Sequence, residues 1–562
     1  MNRAPHPAGA TRISMVGVSM GAIVIVLVLC FVYPLVRFLL LPLVPGWAPL
    51  TALGASQPAP GVSWQAVWNT VRLSAEAGLL VVPPGLAAGF LLERRRWAGN
   101  RLLGLTLWVV FLMPSYLLTM GWQILMAAPI LRAGIADRLF YGEAGIVFLL
   151  TVKGLAFSAM TARAGWSTLG ADMDAAFHVH VPSAARRLWL TLRLLMPVAG
   201  TIFMVQLVAA SQDFGIAATL GAQAHMPLVI YAIYQDLSTV PVDFTHAAAL
   251  SWDLVLLAVS ALGVQAVLGR RSVATVSGRQ RRYAPRPCGW GMRAMAWLLT
   301  GGIMLAGFAV PALALLAQGM TGEGAGHAVP AMDAEDWRSI GLSLRYAFVA
   351  SVLAVLLAAV VLGGRLRPDG SGRLMSRLLV WLTVGNMAVP GVILGAAYVI
   401  GFNGAVLPLY GTATLLIMAY AASHLPIAIR FLDTPFARLH RSLGEAARVH
   451  GMSPLGRVEG IYAPLLLRAL VWAWGMVFVT LFFELPLSQI LYPAGAAPLG
   501  VRLLSLDDSL HYGAEARLAL VAMAACLAVV GTATVLVPRL LVPRFLDPDG
   551  ACEHPIARTA ER

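Results

Sequence analysis

Four titratable residues stand inside long apolar runs of this chain: Lys153, within VFLLTVKGLAFS, and Asp213, His424 and Glu484. They form two pairs with one offset. His424 lies 271 positions after Lys153, and Glu484 lies 271 after Asp213. An ionisable group in a hydrocarbon setting is costly and is kept facing a bundle interior or a water-filled path. Two roles fit these residue types. They could line or gate a solute path, with Lys153 near Asp213 and His424 near Glu484. They could equally be structural hydrogen-bonding groups between packed helices. Depth weakens the pairing, since Asp213 lies farther from the inner helix end than Lys153; a long lysine can reach outward, while a histidine closes less of that gap. Pro114 and Pro390 are expected to kink the spans that hold them, and Glu76 and Asn386 are further path candidates.

Catalytic chemistry finds little support. Lys153 is the one lysine, and Val152 precedes it, so no Gly-Lys-Ser/Thr phosphate cradle exists. No G-x-S-x-G elbow and no HExxH pair occurs. Of four cysteines, Cys30 and Cys526 sit in apolar runs, Cys288 and Cys552 in basic or terminal segments, and none has CxxC spacing. No metal, no cofactor and no hydrolase activity is therefore expected of this chain.

The elements that position those residues are membrane helices. The chain has 562 residues, 59% of them hydrophobic and only 12% charged, with a mean hydropathy of +0.78. A soluble domain carries about 25% charged residues. Many stretches exceed the roughly 20 apolar residues that a spanning helix needs. The expected fold is an all-α polytopic membrane protein of about twelve spans, at 14–40, 69–92, 103–126, 143–164, 194–221, 246–268, 294–317, 341–363, 376–401, 408–431, 465–492 and 515–541. Strands are not expected, because the apolar runs are long and do not alternate. The first run is too long for a signal-peptide core and reads as a retained span.

Arginine sets the orientation. Alternate loops are rich in it: Arg94 to Arg101, Arg186 and Arg187, Arg270 to Arg286, Arg365 to Arg377, and Arg438 to Arg457. The intervening loops have none from 43 to 66 or from 222 to 245, and only Arg338 from 318 to 340. The positive-inside rule places the rich loops and both termini in the cytoplasm. The net charge of +14 then reflects topology and contact with anionic lipid rather than nucleic acid. Trp64, Trp68 and Tyr346 fit an interfacial aromatic belt.

One polar pattern occurs twice in the basic loops. The clearer copy, EAARVHGMSPLGRVEGIYAP, runs from Glu445 to Pro464, and the fainter one begins at Asp174, 271 positions earlier. With the shared offset of the buried polar residues, this points to a parallel duplication. Residues 1–268 form a first module with its loop at 174–197. A basic linker covers 269–292, a second module 293–543 with its loop at 445–464, and a tail 544–562. Small residues let a short helix seat deeply in a partner's groove, a carboxylate near the helix start suits the helix dipole, and a glycine permits the turn that follows. An interfacial amphipathic helix without a partner is the alternative.

The second copy is similar to the EAA loop of ABC-importer permeases: EAA, three residues, Gly, nine residues, Ile, two residues, Pro. Glu445, Ala446, Ala447, Gly451, Ile461 and Pro464 all match. In the first copy Asp174, Ala175 and Ala176 match, while His180 replaces the glycine, Leu190 the isoleucine and Arg193 the first proline. The whole chain, with DFG at Asp213 and ELP at Glu484, resembles the fused double permeases of the ferric-iron and thiamine import type. That resemblance implies two separate cytoplasmic ATPase subunits, one on each loop, and a periplasmic solute-binding protein. It also implies an inner-membrane location and ferric iron as the cargo. Thiamine, 2-aminoethylphosphonate and polyamine remain open as cargo, and a proton-coupled secondary transporter using His424 and Glu484 is the rival of another class.

Overall fold

The structure is a computed structural model that describes residues 28–43, 60–132, 134–274, 285–320, 332–366, 389–404 and 408–546, with isolated positions between 374 and 385. The expected path candidate Asn386 lies outside the described residues, as do Cys552, most of the tail and part of the linker.

The chain is an all-α polytopic membrane protein. Among the described residues, nine helices are long and apolar enough to cross a membrane, or ten if one sharply bent pair counts as a span. The expected spans at 14–40 and 376–401 fall partly outside the described residues.

The first half begins with α1 (Tyr33–Leu39) and α2 (Pro60–Arg94). The bent pair follows, α3 (Asn100–Leu112) and α4 (Ser115–Met126). Next come α5 (Glu143–Thr168), the short α6 (Ala171–His180) and α7 (Ala184–Ser211). The short α8 (Val229–Ser238) and the long α9 (Phe244–Ala274) close the half. The second half runs through α10 (Trp290–Met304) and α11 (Val310–Met320), joined by one wide turn. It continues with α12 (Ala334–Gly363), α13 (Gly391–Phe402) and α14 (Ala413–Arg438). The short α15 (Arg441–Val449) precedes α16 (Ala463–Phe482). The last elements are α17 (Pro486–Leu491), α18 (Leu499–Asp508) and α19 (Tyr512–Leu546).

Polar side-chain caps mark several helix starts. The Ser183 hydroxyl accepts from the Arg186 amide and starts α7, ten residues before the expected span at 194. Thr412 caps α14 through the Leu415 amide at 3.3 Å, and that helix runs on to Arg438, beyond the expected limit of 431. An aspartate capping box at Asp333 and Asp336 starts α12. A hydropathy window centres on apolar residues, whereas the helix continues until its terminal amides and carbonyls find partners.

Matching contacts recur in the two halves. Arg94, at the end of α2, donates to the Trp166 carbonyl at 3.0 Å and to that of Leu169, tying α2 to the end of α5. Arg365, 271 positions later, pairs with Asp433 near the end of α14. The halves also exchange contacts. A Cβ added at Gly121 on α4 would lie 2.5 Å from Pro311 Cα on α11. A Cβ at Gly401 on α13 would lie 3.0 Å from Pro34 Cβ on α1. Small residues allow such close helix approach where no water drives association. The Trp122 indole reinforces the first contact by donating to the Ala306 carbonyl at 2.9 Å. A two-residue parallel ladder, β1 (Arg95–Arg96) with β2 (Arg286–Pro287), joins the loop after α2 to the end of the linker.

Exposed side chains such as Leu79, Leu80, Leu105, Trp108 and Leu298 form the lipid-facing exterior. Trp64 and Trp68 are exposed, as an aromatic belt requires. Tyr346 is not part of that belt: it is 3% exposed and lies inside the bundle, because the face of α12 that carries it packs against neighbouring helices.

Candidate functional site

Two features stand out, a pair of short helices at the arginine-rich end and a largely apolar cavity between the halves that holds three charged groups. The short helices are α6 and α15, each placed between two long spans. On α15, Glu445 and Ala446 are exposed, while Ala447 is 4% exposed and faces the bundle. The carboxylate and one alanine therefore remain presented. The helix ends in a Schellman turn. The Met452 amide donates to the Ala447 carbonyl at 2.9 Å and the Gly451 amide to that of Arg448 at 3.0 Å, with Gly451 at φ +74°. A left-handed residue at this position is what the motif needs, and glycine takes it without a Cβ clash. Ile461 lies in the wide turn Val458–Tyr462, and Pro464 occupies the first turn of α16, where its missing amide costs nothing. Both are half-buried.

The α6 copy ends differently. His180, which replaces the glycine, is still helical, and the chain leaves through an extended Val181 whose amide donates to the Phe177 carbonyl at 3.0 Å. A residue with a side chain here gives a straight exit in place of the reversal. Ala175, Ala176 and His180 are exposed. Asp174 lies in the helix, with its side chain outside the described residues.

The cavity has a volume of about 490 Å³. Its walls come from α5 and α7 of the first half and α14 of the second, with Phe111 from α3. Lys153 and Asp213 both line it, so the fold brings this expected pair into one space. They do not form an ion pair. The Lys153 ammonium donates to the Phe111 carbonyl at 3.2 Å and to that of Met113. These carbonyls end α3 just before Pro114, where the backbone turns by 98° into α4. Pro114 is thus more than a kink: it sits at the N-cap of a new helix, and Lys153 holds the carbonyls that the break releases. Pro390 likewise occupies the N-cap of α13.

Asp213 and Glu484 act as caps. An Asp213 carboxylate oxygen accepts from the Ile216 amide at 3.0 Å and starts the one-turn helix Phe214–Ile216. Glu484 accepts from the Leu487 amide at 2.9 Å, the Ser488 amide at 3.1 Å and the Ser488 hydroxyl at 3.0 Å. The Tyr420 hydroxyl meets that of Ser488 at 2.5 Å. His424 bonds its neighbour Ser423 through Nδ1 at 2.7 Å. Among the described residues no ion pair joins His424 to Glu484. The physical reason is reach: the glutamate is spent on the start of α17, and the imidazole cannot extend to it. Glu76 faces elsewhere, pairing with Arg72 at 3.6 Å along an open cleft beside Glu143.

Arg430 is a further charged residue of the cavity, beyond the four expected from the sequence. It lines the cavity two turns before the end of α14. Its signal was the arginine in IAIRFL, lost because the span was expected to stop at 431. Among the described residues, no three His, Cys, Asp or Glu side chains are gathered to hold a metal ion.

No protein-family model matches the chain, and no solved structure does. Known proteins do. Over 297 residues the chain is 25% identical to the ferric transport system permease protein FbpB of Actinobacillus pleuropneumoniae, covering 51% of this chain and 42% of that protein. Over 304 residues it is 26% identical to ferric transport system permease protein FbpB 1 of Haemophilus influenzae, covering 51% and 46%. A protein of Salmonella paratyphi A named as the 2-aminoethylphosphonate transport system permease PhnV is 27% identical over 201 residues, 35% of this chain and 74% of that one. The chain thus spans less than half the length of its ferric relatives, and what it resembles is a set of transport permeases.

Proposed function

We propose that this chain is the inner-membrane permease of a binding-protein-dependent ABC importer, two fused modules that carry ferric iron inward. The observation that carries the proposal is the pair of short helices at the arginine-rich end, each between two spans and each presenting small residues to a partner. That end faces the cytoplasm in this reading, with both termini. A separate ATPase subunit sits against each of α6 and α15, and a solute-binding protein docks on the opposite face. ATP binding closes the two ATPases, α6 and α15 move as levers, and the cavity between the halves changes its open side. Hydrolysis on the partners resets it.

The matching contacts in the two halves support the duplication, with modules at 1–268 and 293–543. The relatives support the importer class. They also favour 2-aminoethylphosphonate as the second cargo to test. Glu445→Arg places a cation where the helix presents a carboxylate. It is expected to abolish co-purification of the ATPase subunits and to stop uptake. Unchanged co-purification with unchanged uptake would overturn the docking role. Energised uptake by the chain alone in vesicles would favour the secondary-transporter rival instead. Mass spectrometry of the ligand held by the binding protein identifies the cargo.

A further inference from the structure

We propose that the cavity between the halves grips its solute by an oxyanion group, with Arg430 as the free cationic partner and Lys153 as a fixed one. The inference rests on the permease reading and adds the charge class of what passes. The walls of the cavity are largely apolar, from Phe111, Phe157 and Phe431, and its charged groups are Lys153, Arg430 and Asp213. Two cations face one carboxylate, and that carboxylate already accepts the Ile216 amide. Among the described residues the Arg430 guanidinium has no hydrogen-bond or ion-pair partner. Arg430 lines the cavity and is itself exposed, so its guanidinium is open to an anion that enters the space. A guanidinium also matches a carboxylate, phosphate or phosphonate through two parallel hydrogen bonds.

Depth supports a path rather than a single seat. Lys153 is ten residues into α5 and Arg430 seventeen into α14. Both helices run toward the arginine-rich end. At about 1.5 Å per residue, Arg430 lies roughly 10 Å deeper than Lys153. An anion released near Lys153 meets Arg430 next on its way in. The volume of about 490 Å³ is in the range of small-molecule sites. Ferric iron would then cross inside a shell of oxyanion ligands and not as a bare cation.

The test uses the full chain in lipid nanodiscs and saturation-transfer NMR, which reads weak binding. The probes are methylphosphonate, citrate, gallium citrate (a diamagnetic stand-in for the ferric chelate) and spermidine. Methylphosphonate or citrate alone giving transfer marks a free oxyanion. Gallium citrate giving it alone marks a chelate. Either outcome is expected to vanish in Arg430→Gln, to survive in Arg430→Lys, and to be untouched by Arg438→Gln at the helix end. Transfer to spermidine equal to that of the anions would overturn the proposal, as would anion transfer unchanged by Arg430→Gln or no transfer from any anion. Co-purification of the ATPase subunits is read on the same variants. If it persists while anion binding is absent, only this inference fails. If it is absent in the unaltered chain, the importer reading fails.

Discussion

The Ser343 hydroxyl accepts a hydrogen bond from the Leu499 amide at 2.7 Å, and the Thr70 hydroxyl does the same for the Val229 amide at 2.9 Å. In each half a long span thereby holds the start of a short helix, α18 or α8, at the end opposite the arginines. Both hydroxyls are buried. Ser343→Ala leaves a buried amide without a partner, at a cost of about 1–3 kcal/mol. The expected result is a lower midpoint of thermal unfolding in detergent for Ser343→Ala and Thr70→Val, with Ser343→Thr near the unaltered chain. Equal midpoints for all three would show that water replaces the hydroxyl.

Gly121 and Gly401 differ in what an added methyl group would meet. At Gly121 the obstacle is the backbone of Pro311, with its carbonyl oxygen 2.7 Å from the new Cβ. At Gly401 it is the Pro34 ring, at 3.0 Å or more. Overpacking of this kind costs about 1–3 kcal/mol where the neighbour cannot move. Gly121→Ala is therefore expected to lower the yield of folded protein more than Gly401→Ala, as measured by fluorescence-detected size exclusion. The reverse order would mean that the two interfaces yield differently from their geometry.

The turn at Gly451 separates a docking role from a folding role. With φ at +74°, Gly451→Ala strains the Schellman turn by about 1 kcal/mol, whereas asparagine tolerates this conformation better. Gly451→Ala is expected to weaken ATPase co-purification, with Gly451→Asn intermediate. The same changes at His180 should have less effect, since that copy leaves its helix without a left-handed residue.

Glu484 supplies an acceptor to the start of α17, and a neutral acceptor can do the same. Glu484→Gln is expected to retain uptake, while Glu484→Ala loses the cap, about 1 kcal/mol of local stability, and much of the uptake. A proton-relay role predicts instead that both substitutions stop uptake equally.

Asp507 lies at the end of α18, outside the spans, and burial pushes its carboxyl up to about 6, with the neighbouring Asp508 adding to the shift. Its folded value exceeds its ordinary one, so its contribution is fully present below about pH 4 and is lost as pH rises through 6. Asp507→Asn removes that loss. The variant is expected to match the unaltered chain at pH 4 and to unfold at a higher temperature at pH 8. A midpoint difference independent of pH would show that the carboxyl is not the cause.

The sequence carried the fold class, the positions of most spans and both short helices, because long apolar runs and clustered arginines are local signals. It carried the offset of 271 as well, because the matched residue types stand at one fixed spacing along the chain. Helix ends were less legible. Ser183, Thr412 and Glu484 terminate or start helices by side-chain caps worth a few residues of length, and a hydropathy window blurs them. That blur hides Arg430, which falls one residue before the expected span end at 431.

What the sequence determined by itself is that this chain is a bundle of membrane helices with two repeated polar loops, for bilayer thickness and hydrogen-bond demand leave few other solutions. The tertiary structure decided which polar groups meet. Lys153 turns to the carbonyls freed at Pro114, Asp213 and Glu484 turn to helix starts, and Arg430 faces the cavity shared by both halves. Side-chain partners depend on where distant helices cross and which backbone groups are left unsatisfied there, and no spacing along the chain encodes that.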